Sequence, residues 1–192
     1  MKKIPLILTI MLMLQGCIAA AIVGGAAVGV AGGVIVYDQR STQTILDDKD
    51  IGVKAQDKIN NDQELKGKVR ATVAVFNYVV LLVGQAPTQE LRDHAVKLVN
   101  SVSKVKVVHD EMTIGYPISS STQTHDAWLT TKVKSALLAE KGLKSTQLKI
   151  VTEDSVVYLM GLVTRSQANL ATEKVRQIED VKKVVKLFEY VS

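Results

Sequence analysis

From Ile51 onward, apolar and polar positions fall into two periods that take turns along the chain. Ile51, Ala55 and Ile59 recur four residues apart, and Leu129, Val133 and Leu137 do the same, which predicts one amphipathic helix around each stripe. Alternating runs follow each stripe: Val69, Ala71, Val73 and Val75 in a strand near 68–76, then Val79–Gly84; later, 147–153 and then Val156–Gly161. Asn77 and Asp154 stand between the paired runs, where a tight hairpin needs residues that tolerate left-handed backbone. A second helix is predicted over 88–101 and over 165–178, the latter capped by Thr164 or Ser166. A last strand carries Val105, Val107 and Met112 in one place, and Val181, Val184, Leu187 and Phe188 in the other.

The two series are copies of one another. Tyr78-Val-Val-Leu-Leu-Val-Gly84 matches Ser155-Val-Val-Tyr-Leu-Met-Gly161, and Val102…Val105…Val108 matches Ile178…Val181…Val184, at offsets of 76 to 78 residues. The order α-β-β-α-β predicts an α+β fold: two tandem units, each a three-stranded mixed sheet with two helices on one face. The hairpin is antiparallel, and the crossover helix returns the third strand parallel to a neighbour. The units are expected at 46–114 and 125–192, joined by a linker at 115–124 that is rich in Ser, Thr, Gly and Pro. Units of roughly 65 residues are marginal for an independent core, so each is expected to lean on the other or on a membrane.

The run from Ile4 to Tyr37 carries no charge, and hydropathy alone leaves two readings: one membrane span, or two segments joined at Cys17. Lys2 and Lys3 precede an apolar stretch, Ile4 to Leu14, that is short of the roughly 20 residues a span requires. Leu14-Gln15-Gly16-Cys17 follows and resembles the bacterial lipobox, with Gln15 as its departure. The resemblance implies a signal over 1–16, cleavage before Cys17, and a diacylglyceryl group and an N-acyl chain on that cysteine. Ile18, in place of an Asp, implies the outer membrane as destination. Residues 17–45, with Gly24, Gly25, Gly29, Gly32 and Gly33, are read as an apolar tether near the lipid surface, a second span being the alternative.

Two αββαβ units with repeated Val-x-Leu-x-Gly-like strands, behind a lipobox and a short tether, resemble the dual BON-domain outer-membrane lipoproteins, the DolP family. The resemblance covers nearly the whole chain. Its glycine in the hairpin turn is replaced by Tyr78 and Ser155, and its glycine before the last strand by Lys104 and Asp180. It implies a periplasm-facing lipoprotein of the outer membrane that binds phospholipid and supports envelope integrity, with a place at the division site.

Composition narrows the alternatives. A single cysteine cannot form an internal disulfide, and His94, His109 and His125 lack the spacing of a helical metal site. There is no nucleophile elbow, P-loop or dinucleotide fingerprint, so no catalytic residue is assigned and no enzyme is expected. No cofactor is expected beyond the acyl chains on Cys17. A formal charge of +5 is too modest for a nucleic-acid stripe. The chain is expected to be a monomer.

Charge is unevenly shared. Residues 45–114 hold ten basic and ten acidic side chains, whereas 125–192 hold eleven and eight. The second unit also carries the one tryptophan, Trp128. With Leu129, Val133 and Leu137 facing the core, Trp128, Lys132 and Ser135 share a neighbouring stripe, flanked by Thr131 and Lys134. The first unit has Asp50 and Gln56 at the places of Trp128 and Lys134. Tryptophan prefers bilayer interfaces and lysine attracts anionic headgroups, so these five residues are the expected contact with an anionic phospholipid membrane. The competing reading is a protein adaptor or chaperone-like module that meets outer-membrane assembly proteins.

Overall fold

The hydroxyl of Ser41 accepts the N–H of Thr44 and opens the first helix, α1 (Thr42–Asn61), whose stripe Ile51, Ala55 and Ile59 is buried. The computed structural model describes residues 21–23, 26–31 and 34–191. The expected signal and Cys17 lie outside the described residues. Within 21–37 the backbone forms three short antiparallel strands, β1 (Ala21–Val23), β2 (Ala26–Ala31) and β3 (Val34–Tyr37), in the order β1-β2-β3. The expected tether is thus paired strand in part. Its Val and Ile content favours extended backbone, a preference that the glycine count obscured.

After α1, β4 (Arg70–Phe76) and β5 (Val79–Ala86) pair antiparallel. Asn77 and Tyr78 between them have φ of 52° and 66°, the backbone of a two-residue hairpin turn of the type that suits strand twist. Thr88 caps α2 (Gln89–Asn100), which returns the chain to β6 (Val107–Ile114), parallel to β5. The second unit repeats the path. It comprises α3 (Ser120–Ala139), a 3₁₀ turn (Ser145–Gln147), β7 (Leu148–Glu153), β8 (Val156–Val163), α4 (Arg165–Arg176) and β9 (Lys183–Tyr190). Of the two candidate caps of α4 it is Thr164 that accepts, from the N–H of Gln167. The sheets run β4-β5-β6 and β7-β8-β9, so the expected α+β fold with two three-stranded mixed sheets is the one observed.

Both first helices start earlier than the apolar stripes suggest. Residues 120–124, expected as linker, form the first turn of α3, capped by Ser119, and residues 42–45 belong to α1. Apart from Ile45, these turns are made of Ser, Thr and Gln and lie at the surface, so no apolar stripe marks them. Gly84 occupies a place that only glycine fills: its φ is 132°, and a Cβ there would lie 2.0 Å from the carbonyl oxygen of Arg70.

In each unit the helices cover one face of the sheet. Val80 and Leu82 of β5 pack beneath α1 and α2, and Val157 and Leu159 of β8 beneath α3 and α4. The opposite faces meet one another. Ala74, Phe76, Leu81 and Val83 pack against Tyr158 and Met160 in a third cluster between the two sheets. The central strands are therefore buried on both sides, which is why they read as unbroken apolar runs.

Polar contacts rim this seam. Arg70 is ion-paired with Glu153, and the amide of Gln85 donates to the same carboxylate at 2.7 Å. Asn77 Nδ2 donates to Glu189 at 2.9 Å, and Lys149 Nζ donates to the carbonyl of Val75 at 3.0 Å. Burial, with Arg40 nearby, pushes the Lys149 ammonium below its ordinary value. Burial, with Glu111 and Glu153 nearby, pushes the Tyr158 phenol up to about 12. The units thus lean on each other through their sheets.

Candidate membrane-contact site

Leu129, Val133 and Leu137 fix the rotation of α3, being fully buried against the second sheet. That rotation turns Trp128 outward, where half of its surface meets solvent. Lys132, one turn on, places Nζ 4.7 Å from the centre of the Trp128 ring, a cation–π contact. The His125 ring lies 5.4 Å from it on the other side, tilted by 37°. Thr131 and Ser135 are exposed on the same flank, and the Thr131 hydroxyl donates to the carbonyl of Ala127.

Four of the five expected residues therefore come together: Trp128, Thr131, Lys132 and Ser135. Lys134 does not join them. Six residues beyond Trp128 along a helix is a rotation of about 240°, so Lys134 emerges on the far flank. There it borders a groove of about 260 Å³ with Leu138, Leu148 and Ile150.

The charge of Lys132 is balanced. Its Nζ lies 3.8 Å from Asp180 and 4.0 Å from Glu179, and donates to the Glu179 carbonyl at 3.4 Å. Sequence reasoning missed these acids and His125. Glu179 and Asp180 lie in the turn between α4 and β9, and no periodicity within α3 reports them. At the equivalent place in the first unit, Asp50 and Lys54 form an exposed pair at 2.7 Å, without an aromatic ring. Only the second unit presents an indole to solvent.

Among the described residues no helix is long and apolar enough to cross a membrane. Among them, too, no group of three or more His, Cys, Asp or Glu is placed to hold a metal ion.

The family model of the BON domain matches this chain twice, over residues 47–116 and 125–192. The chain is 37% identical to the outer membrane lipoprotein DolP of Haemophilus influenzae over 191 residues, which span 100% of this chain and 97% of that one. It is 35% identical to a 21 kDa hemolysin of Actinobacillus pleuropneumoniae, over 80% of this chain and 79% of that one. It is 26% identical to the osmotically-inducible protein Y of Escherichia coli, over 80% and 78% respectively.

Proposed function

The chain belongs to the BON-domain family as an outer-membrane lipoprotein of the DolP line, and we propose that it binds anionic phospholipid through α3 of its second unit. In this reading acyl chains on Cys17 hold the protein in the outer membrane, facing the periplasm. The second unit then makes a reversible contact of its own and supports envelope integrity, including at the division site. More than one acyl chain suffices for stable anchoring, each buried CH₂ contributing roughly 0.8 kcal/mol.

The observation that carries the reading is the exposed Trp128 ring. The large aliphatic residues nearest it in sequence on α3, Leu129 and Val133, are buried, whereas the indole stands out of the fold with the Lys132 ammonium against it. An indole with a cation over its face suits the headgroup layer of a bilayer, where its apolar body and polar N–H are both satisfied.

Co-sedimentation of acyl-free protein (Cys17→Ser) with vesicles tests it. Binding is expected to rise with the phosphatidylglycerol fraction, to weaken with salt, and to shift Trp128 emission to the blue. Trp128→Glu is expected to weaken binding at least tenfold while circular dichroism stays unchanged. A folded Trp128→Glu protein that binds like the parent overturns the assignment. Salt-insensitive capture of a protein partner, without vesicle binding, favours the adaptor reading instead.

A further inference from the structure

The second unit carries more basic than acidic residues, yet its exposed tryptophan sits beside a lysine whose charge two acids balance. The excess lies elsewhere. Thr172 and Arg176 of α4, with Val181, Lys182, Lys183, Val184 and Lys186 on and before β9, line one groove of about 350 Å³. Four cations line it and no carboxylate does.

The fold explains why they converge. β9 is an edge strand, and α4 packs alongside it. Val184 and Phe188 alternate toward the helix-covered core, and Lys186, between them on the same face, is left at the margin beside α4. Lys183 begins the strand, Arg176 ends the helix, and all four cations are exposed.

Two of the four charges are partly answered: Arg176 pairs with Glu173 at 3.1 Å, and Lys182 with Asp154 at 3.0 Å. Lys183 and Lys186 make no ion pair with any described residue. Burying apolar area does not require two such lysines at one sheet edge, and their mutual repulsion opposes it. The first unit lacks the arrangement. Asn100, Val107 and Asp110 stand at the places of Arg176, Lys183 and Lys186, and Asp110 is bound by Arg92 at 2.7 Å.

We propose that the α4–β9 groove is a binding site for a phosphate group. The volume suits a phosphorylated polar group better than a bare ion. Arg176 offers a planar fork of donors, and the lysines offer mobile point charges, the combination used for phosphate oxygens. The ligand is either the phosphodiester headgroup of an anionic lipid or a soluble phosphate compound. The site shares no residue with the Trp128 patch, so either assignment stands or falls alone.

The test is amide NMR of the full chain in neutral-detergent micelles, titrated in one arm with pyrophosphate and in the other with phosphatidylglycerol. Residues 172–176 and 181–186 are expected to shift in a saturable way in at least one arm. Lys183→Gln combined with Lys186→Gln is expected to weaken that binding at least tenfold, with the β7 amides, which do not pair with β9, unmoved as a check on folding. Shifts with phosphatidylglycerol alone assign the lipid headgroup, and shifts with pyrophosphate assign a soluble phosphate. Absence of saturable shifts in both arms, or shifts that survive the double substitution, overturns the proposal.

Discussion

The carboxylate of Asp126 accepts the backbone N–H of Ser155 at 2.9 Å, and its other oxygen accepts that of Asp154 at 2.8 Å. Asp48, at the same place in the first unit, accepts the N–H groups of Asn77 and Tyr78, both at 2.7 Å. One aspartate per unit thus clasps the hairpin turn from the first helix, tying α to β before any apolar contact is counted. The strain it holds is visible in the backbone: Asn77, Tyr78, Asp154 and Ser155 all have positive φ.

Asp126→Ala removes both acceptors from a buried place. An unsatisfied buried N–H costs about 1–3 kcal/mol, so a loss of about 2–4 kcal/mol is expected when two are released near left-handed residues. Asp126→Asn keeps one good acceptor and is expected to fall between the two. Urea unfolding reads this directly, as a lower midpoint at unchanged slope. Equal stability of Asp126→Ala and the parent would contradict the clasp.

The residues at these turns also settle what becomes of the departures from the family's glycines. Tyr78, Ser155, Lys104 and Asp180 all have positive φ, of 62° to 74°, so each sits where glycine is unstrained. A left-handed L-residue costs about 1–2 kcal/mol, against about 0.4–1 kcal/mol for the extra unfolded-state freedom of glycine. Ser155→Gly is therefore expected to stabilise the protein by about 0.5–1 kcal/mol. Tyr78→Gly is expected to have the opposite sign. The Tyr78 hydroxyl donates to Asp47 at 3.1 Å and its ring carries Lys106 at 4.5 Å, contacts worth more than the relieved strain. Thermal denaturation of the two variants shows whether the signs differ.

Much of this architecture was legible. The stripe Ile51, Ala55, Ile59 located α1, and Asn77 and Asp154 located the hairpins, because in both cases a local steric demand selects the residue type. The starts of α1 and α3 were not legible, since Ser, Thr and Gln turns bear no apolar mark. The face-to-face packing of the sheets is marked in the central strands themselves, beyond the expectation that each unit leans on the other or on a membrane. Tyr78–Gly84 lacks the alternation of a half-solvated strand, and only a second covering layer explains Leu81 and Val83 beside Leu82. At the candidate site, the helical period exposed Trp128 correctly but could not report Glu179 and Asp180, which reach Lys132 from the loop after α4. The basic groove likewise joins a helix end to a strand that follows it, and periodicity within one element does not show such a meeting.

Acid weakens the first unit through a definite pair. Hydrogen bonds from Lys104 at 2.8 Å, then from Gln43, hold the Asp47 carboxyl below its ordinary 3.8. The same bond to Asp47 raises Lys104 above 10.5. A carboxyl with a lowered folded pKa contributes its full stabilisation above the unfolded value. That contribution is lost as pH falls through the folded one. The lysine contributes fully below 10.5 and loses its part as pH rises through the raised value. The pair is therefore complete across neutral pH and fails only at the extremes. Carboxyl-carbon NMR is expected to give an Asp47 midpoint below 3.8 that climbs toward it in Lys104→Ala. An unmoved midpoint would assign the shift to Gln43 and Tyr78 alone.

The balanced charge of Lys132 makes a sharper case about membrane contact than its removal does. Glu179 and Asp180 sit within 4.0 Å and 3.8 Å of Nζ and carry two negative charges beside the proposed headgroup contact. If Trp128 enters the interface, these acids face anionic lipid and oppose binding. Glu179→Gln with Asp180→Asn keeps side-chain size, removes both charges and releases the lysine. A cation near an anionic surface contributes about 1 kcal/mol, so vesicle binding by the double variant is expected to strengthen about fivefold at low salt, with the gain fading as salt is added. Lys132→Ala in the parent is expected to change little by comparison, because the ammonium it removes is already answered. Unchanged binding by the double variant, with Trp128 still required, would place the indole in the membrane with the 179–180 loop turned away from it.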